Sequence, residues 1–143
     1  MSVLVDANIL IYAKFSDFPQ HAACRSWLDA ILNQPEPVGI PWQSLMAFMR
    51  ISTNRRIFDQ PLSPKQSLAQ LGEWLSRGNV WQPEPGDRFT EMFRKLATEA
   101  QATGNLVSDA YLAALACEHG LTVVSTDADF ARFKGVNWHN PAS

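Results

Sequence analysis

The chain has 143 residues, a formal net charge of −2 and 46% hydrophobic residues, including five Trp and eight Phe. That length is enough for one domain with a real core, so residues 1–143 are expected to form a single domain. The charge excludes a broad basic footprint for nucleic acid, and the absence of any run near the roughly 20 apolar residues of a membrane span excludes a transmembrane helix. No basic region precedes the first apolar segment, which predicts a chain without a signal peptide and a cytoplasmic protein. Cys24 and Cys117 fit neither a zinc spacing nor a disulfide framework, and are expected to be buried thiols.

In chain order, Val3–Val5 reads as a short buried strand leading into a helical turn. A long helix follows, with Ala23, Cys24, Trp27, Leu28, Ile31 and Leu32 on one face, and Pro35 and Pro37 break it. Val38–Trp42 suits a second strand, after which Ser44 is placed to cap a helix carrying Leu45, Phe48 and Met49. Ser63-Pro64 pairs a cap with a proline at the first helical position. The helix it opens carries Leu68, Leu71 and Leu75 and stops near Gly78. Val80–Gln82 is a weak strand. Asp87 is expected to cap an amphipathic helix with Phe89, Met92, Phe93, Leu96, Ala97 and Ala100 inward, ended by Gly104. Ser108 is expected to cap the next helix, which Gly120 terminates. Leu121–Ser125 is a buried strand, followed by a short helix near Asp129–Phe133 and a weak strand at Val136–His139.

Alternating strands and helices predict an α/β fold, a parallel sheet with helices on both faces. In such sheets the loops after the strands meet at the carboxyl edge, where sites form. Three apolar runs in this chain end in carboxylates: Val3-Leu4-Val5-Asp6, Leu106-Val107-Ser108-Asp109 and Val123-Val124-Ser125-Thr126-Asp127-Ala128-Asp129. Asp6 and Asp127 follow strands, and Asp109 opens a helix that returns to the edge. The topology therefore gathers Asp6, Asp109 and Asp127 on one rim. Carboxylates so placed repel, and a divalent cation relieves the repulsion. Mg²⁺ suits oxygen ligands, with Mn²⁺ as a substitute. Such an ion polarises a phosphate and lowers the pKa of a bound water, as phosphodiester hydrolysis requires.

Each of these residues also has a plainer reading. Asp6, Asp127 and Asp129 suit turns and caps, and Asp109 suits a helix N-terminus. Asn8 either orients Asp6, contacts substrate or caps the following helix. Ser125 and Thr126 suit turns or a ligand to the metal. Arg50 reads equally as a phosphate contact or a solvated helix face. Glu118 and His119 read as an exposed helix end, and the five Trp as core or interface. No Walker-type loop or G-x-S-x-G elbow is present, and His21, His119 and His139 share no ligand spacing.

The segments VLVDANILIYA, PWQSLMAFMRISTNRRIF, TGNLVSDAYLAALACEHG and VVSTDADFARFKGVNWHNP, in that order, resemble the PIN-domain family, specifically VapC-type toxins of toxin–antitoxin pairs. Between about Asp59 and Thr103 the likeness is one of layout only. The resemblance implies a three-layer α/β/α sandwich around a central, mainly parallel sheet. It implies an Mg²⁺-dependent endoribonuclease that cuts structured RNA such as tRNA or rRNA and inhibits translation, restrained by a cognate antitoxin. The family's acidic positions fall on Asp6, Asp109 and Asp127, with Asp129 on an additional one. The family's Glu early in the helix after the second strand is missing, since no acidic residue lies between Val38 and Phe58. Ser44, Gln43, Asp129 or water are the replacements to weigh, and a single ion is expected.

The competing reading is a degenerate PIN domain that binds RNA or protein without cutting. A phosphatase or receiver-like domain fits less well, because Asn8 stands where the haloacid-dehalogenase pattern has its second Asp. A homodimer is expected, with apolar surface on the Trp27 helix or the Ser63–Arg77 helix receiving the second copy or the antitoxin.

Overall fold

The computed structural model describes residues Met1 to Ser143. The elements are β1 (Val3–Val5), α1 (Ala7–Lys14), α2 (His21–Leu32), β2 (Val38–Gly39), α3 (Trp42–Ser52), α4 (Pro64–Leu75), β3 (Val80–Trp81), α5 (Phe89–Glu99), α6 (Asn105–His119), β4 (Thr122–Val124), a 3₁₀ turn (Ala128–Arg132) and β5 (Trp138–His139). The strands form one sheet in the order β3-β2-β1-β4-β5, and every pairing is parallel.

Successive strand residues point to opposite faces, and that alternation builds the layers. Val3 and Val5 pack with Ile9, Leu10, Leu28, Leu45, Phe48 and Leu71 from α1 to α4. Leu4, between them, packs instead with Leu96 of α5, with Ala113 and Leu115 of α6, and with Phe130. In β4, Val124 belongs to the first core and Val123 to the second. A parallel sheet this apolar is stable only when both faces are covered. The result is the expected three-layer α/β/α sandwich. The chain runs outward from β1 through β2 to β3, then crosses to β4 on the other side of β1. The carboxyl ends of β1 and β4 therefore flank the crevice where this topology reverses.

Several helix starts differ from expectation. The second strand ends at Gly39, and Pro41 is the N-cap of α3 with extended backbone angles of φ −71°, ψ 157°. Trp42 is thus helical, and Ser44 is not a cap. It lies buried inside the first turn, where its Oγ donates to the Val5 carbonyl at 2.7 Å. Strand β2 needs glycine at position 39, because a Cβ there would meet Pro83 Cγ at 2.8 Å and the Val3 carbonyl at 2.9 Å. Helix α6 begins at Asn105 after Gly104, which adopts φ +56°, so Ser108 lies within the helix. Gly104 opens that helix rather than ending α5, which stops at Glu99. Gly120 ends α6 in the left-handed region, as expected.

Asp87 does not cap α5, because Arg88 occupies that position. The segment leading into the helix is held from a distance instead: Glu118 accepts from Gly86 N at 2.8 Å and from the N-cap Arg88 N at 2.9 Å. Those bonds hold the Glu118 carboxyl below the ordinary range for a glutamate. The supposed exposed helix end is therefore a clamp between α6 and α5. Cys24 is buried as expected, whereas Cys117 is exposed. Trp27 is half-buried against the first core, while Leu68 of α4 is 54% exposed.

The start of α4 matches its sequence signature. Ser63 Oγ accepts from Gln66 N at 3.1 Å, and Gln66 Oε1 accepts from Ser63 N at 2.9 Å. This capping box satisfies two helix-end donors reciprocally. Ser63→Ala is expected to lower stability by about 1 kcal/mol, read from urea denaturation at unchanged slope.

Candidate metal centre

The centre of the site is Ser125, fully buried at the carboxyl end of β4. Its Oγ donates to Asp6 Oδ2 at 2.7 Å and receives Asn8 Nδ2 and Asp127 N, each at 3.0 Å. One hydroxyl thus ties the end of β1, the start of α1 and the loop after β4. Asn8 reinforces the tie. Its Nδ2 also donates to Asp6 Oδ2 at 3.3 Å, and its Oδ1 accepts from Thr126 N at 3.2 Å. Both ends of the Asn8 amide are spent within the protein, so Asn8 positions Asp6 rather than facing a substrate.

Asp6 is also the N-cap of α1, where Oδ1 accepts from Ala7 N at 2.7 Å. Its carboxyl is pushed up from the usual range by burial, against the opposing pull of the Ser125 and Ala7 hydrogen bonds. The neighbouring Asp127 charge pushes it further.

Asp109, Asp127 and Asp129 come together most closely. A carboxylate oxygen from each lies within 4.8 Å of the other two. Asp127 is oriented by its own turn, accepting at Oδ1 from Asp129 N at 2.9 Å. Asp129 touches Arg132 at 3.4 Å, an exposed contact that neutralises little. Asp109, one turn into α6, is strongly perturbed as well. Burial first, and then Asp127, Asp6 and Asp129, push its carboxyl up to about 7. Four acidic side chains therefore feel one another at the crevice between β1 and β4. The close trio is Asp109, Asp127 and Asp129, with Asp6 beside Asp127.

Hard oxygen donors that repel one another fit a hard divalent cation. The one basic side chain paired with the cluster is Arg132, on the exposed side of Asp129. Among the candidates for the missing family Glu, Ser44 is committed to Val5 O. Gln43 Nε2 donates to the Ser108 carbonyl at 3.3 Å. Only Asp129 supplies an anionic oxygen within the cluster. Sequence reasoning underrated Ser125, for which the one available signal was its place directly after a buried strand.

Arg50 is exposed near the C-terminal end of α3, eight residues beyond Trp42 and about 12 Å along the helix axis. It takes part in none of the ion pairs of the structure.

The family model of the PIN domain matches residues 3–136. The VapC ribonuclease Mb2897 of Mycobacterium bovis is 39% identical over 137 residues, spanning 96% of this chain and 93% of that protein. Among solved structures, VapBC-1 from nontypeable Haemophilus influenzae superposes with a TM-score of 0.73 at 16% identity, over 100% of both chains. A toxin–antitoxin complex from Klebsiella pneumoniae gives 0.63 at 22% identity, over 97% of each chain. The structural likenesses establish the shared fold. The family match along nearly the whole length, joined to the identity shared with a VapC protein, makes this chain a member of the PIN-domain family in its VapC branch.

Proposed function

We propose that this chain is a divalent-metal-dependent endoribonuclease serving as the toxin of a toxin–antitoxin pair. The observation that carries the chemistry is the carboxylate cluster at the crevice, with Asp109 pushed up to about 7 by burial and three like charges. The name of the Mycobacterium bovis relative supports RNA as substrate. The naming of the structural neighbours as VapBC and toxin–antitoxin complexes supports an antitoxin partner. Translation in the cytoplasm is the process to be inhibited, with structured tRNA or rRNA as targets. Residues 1–143 act as one PIN unit.

Asp109, Asp127 and Asp129 would hold the cation, with Asp6 as a further carboxylate beside them. When bound, Mg²⁺ polarises a phosphate oxygen and makes water nucleophilic near neutral pH. The chain's own part is preorganisation. Ser125 and Asn8 fix Asp6, and the Asp127 turn fixes its own carboxylate, so little reorganisation remains at the moment of reaction. Asp109 must lose its proton before it ligates. The donor set fits one ion better than two, because Gln43 and Ser44 occupy the region of the missing family Glu. Leu68 on the exposed side of α4 is the apolar anchor available to the antitoxin.

Purified protein incubated with a tRNA and rRNA mixture is expected to cut in Mg²⁺ or Mn²⁺ and to stop when a chelator is added. RNA binding without cleavage in every divalent metal would instead establish the non-catalytic PIN module.

A further inference from the structure

We propose that a basic recess between α5, α6 and the turn at Lys134-Gly135 seats the phosphate backbone of an RNA strand whose scissile bond lies at the carboxylate rim. The choice of RNA as occupant rests on the nuclease reading above; the recess and its charge do not.

The chain carries a net charge of −2, yet three cations line one recess of about 300 Å³: Arg88, Lys95 and Lys134. Arg88 is the N-cap of α5, and Lys95 follows seven residues later, so the two share a helix face. Lys134 arrives from the other end of the chain. Its neighbour Phe133 is buried in the second core, and Val136 N donates to the Phe133 carbonyl at 3.3 Å. Gly135 completes the turn with φ +79°, a conformation that favours glycine. This anchored turn holds Lys134 at the recess. None of the three cations takes part in an ion pair; the pairs join Arg25 to Asp29, Arg77 to Glu73 and Arg132 to Asp129. Two carboxylates stand nearby. Glu91 lines the recess, and Glu118 is committed to the Gly86 and Arg88 amides. Three cations against one uncommitted carboxylate leave a positive surplus that attracts an anion.

Position selects the anion. Lys134 lies two residues beyond Arg132, which touches Asp129 of the acidic cluster at 3.4 Å. At most about 7 Å of backbone separates the two cations. Cys117, on the α6 wall of the recess, is eight residues from Asp109, about 12 Å along the helix axis. A strand stacked as in a duplex advances about 3.4 Å per phosphate. The recess is therefore about four nucleotides from the cluster, with Arg132 standing between the two in the chain. A phosphodiester chain cut at the rim must continue over a flanking surface, and this one offers cations at the spacing of its charges. Such contacts hold a strand in register without reading its bases.

The molecule carries its own reporter, because Cys117 is exposed in the recess and Cys24 is buried. N-ethylmaleimide is therefore expected to label Cys117 alone. With chelator present to prevent cleavage, total tRNA at about ten times its Kd is expected to slow that labelling about tenfold, by mass action. Adenosine monophosphate at equal phosphate concentration is expected to leave it unchanged. The Lys95→Gln, Lys134→Gln double variant is expected to bind tRNA at least about tenfold more weakly in roughly 0.1 M salt. Its salt slope is expected to fall by about 2, one for each lost phosphate contact. The Lys95→Arg, Lys134→Arg pair is expected to keep both affinity and slope. In Mg²⁺ the Gln pair is expected to raise KM for tRNA far more than it lowers kcat, the sign of a contact made equally before and during the reaction.

Labelling that tRNA does not slow, or a Gln pair with unchanged affinity and salt slope, overturns the recess as an RNA seat. Equal protection by adenosine monophosphate makes it a small-anion site, and protection by polyglutamate but not by tRNA makes it a seat for an acidic protein segment; either overturns the proposal. A fall in kcat at constant KM overturns it as well, because the lysines then act on the chemistry. Protection and salt dependence without cleavage in any divalent metal leave the recess standing and remove the nuclease reading.

Discussion

Asp109→Asn is expected to reduce RNA cleavage by about 10²–10³-fold or more, the scale of losing one preorganised electrostatic group at a reacting centre. The same substitution is expected to raise the melting temperature of the metal-free protein above pH 7. The two effects have one origin. The Asp109 carboxyl stands at about 7 in the folded protein against 3.8 as a free side chain, because burial and the charges of Asp127, Asp6 and Asp129 disfavour its ionised form. Between those values the unfolded chain has released this proton and the folded protein still holds it. Raising pH across that window therefore favours unfolding, and the stability lost there is not regained above about 7. Asn carries no charge at any of these pH values and escapes the penalty. A cation that replaces the proton reverses the trend. Mg²⁺ is expected to stabilise the wild type more at pH 8 than at pH 5.5, and the Asn variant little at either. Thermal melts at both pH values, with and without Mg²⁺, check the prediction. A wild-type protein that melts higher at pH 8 than at pH 5.5 without metal would contradict it.

Ser125→Ala is expected to lower stability by about 1–3 kcal/mol, the cost of leaving buried polar partners unmet. Three groups lose their common partner: Asp6 Oδ2, Asn8 Nδ2 and Asp127 N. Asp6 suffers most, because the Ser125 hydrogen bond is the larger of the two that oppose the upward push of burial on its carboxyl. Without it, Asp6 takes up its proton at higher pH and loses its fixed direction. Cleavage is expected to fall at least about tenfold, and more Mg²⁺ to be needed for half-maximal rate. Ser125→Thr keeps the hydroxyl and is expected to recover much of the metal dependence. Urea denaturation and Mg²⁺ titration of the rate separate the structural loss from the positioning loss.

The alternation of strand and helix was legible because each segment states it locally. Val3–Val5 and Val123–Val124 are continuous apolar runs that only a sheet covered on both faces can bury. Pro35, Pro37 and Gly120 stop helices through backbone constraints that need no distant partner. The placing of Asp6 directly after one apolar run, and of Asp127 shortly after another, likewise set them at the carboxyl edge, since a strand's direction in a parallel sheet fixes where its end goes.

Contacts between distant segments were decided by the tertiary structure alone. Pro41 starts α3 earlier than the sequence suggests, which turns Ser44 from a cap into a buried donor to Val5 and brings Trp42 to the surface. Glu118 clamps α5 across the fold, a bond that no local pattern encodes. Asp129 rather than Asp6 closes the tightest trio, because Ser125, Asn8 and Ala7 hold Asp6 from the other side. A sequence specifies which segments are apolar and where they end. The ångström-scale approach of one carboxylate to another depends on how every layer between them packs, and only the folded chain fixes that.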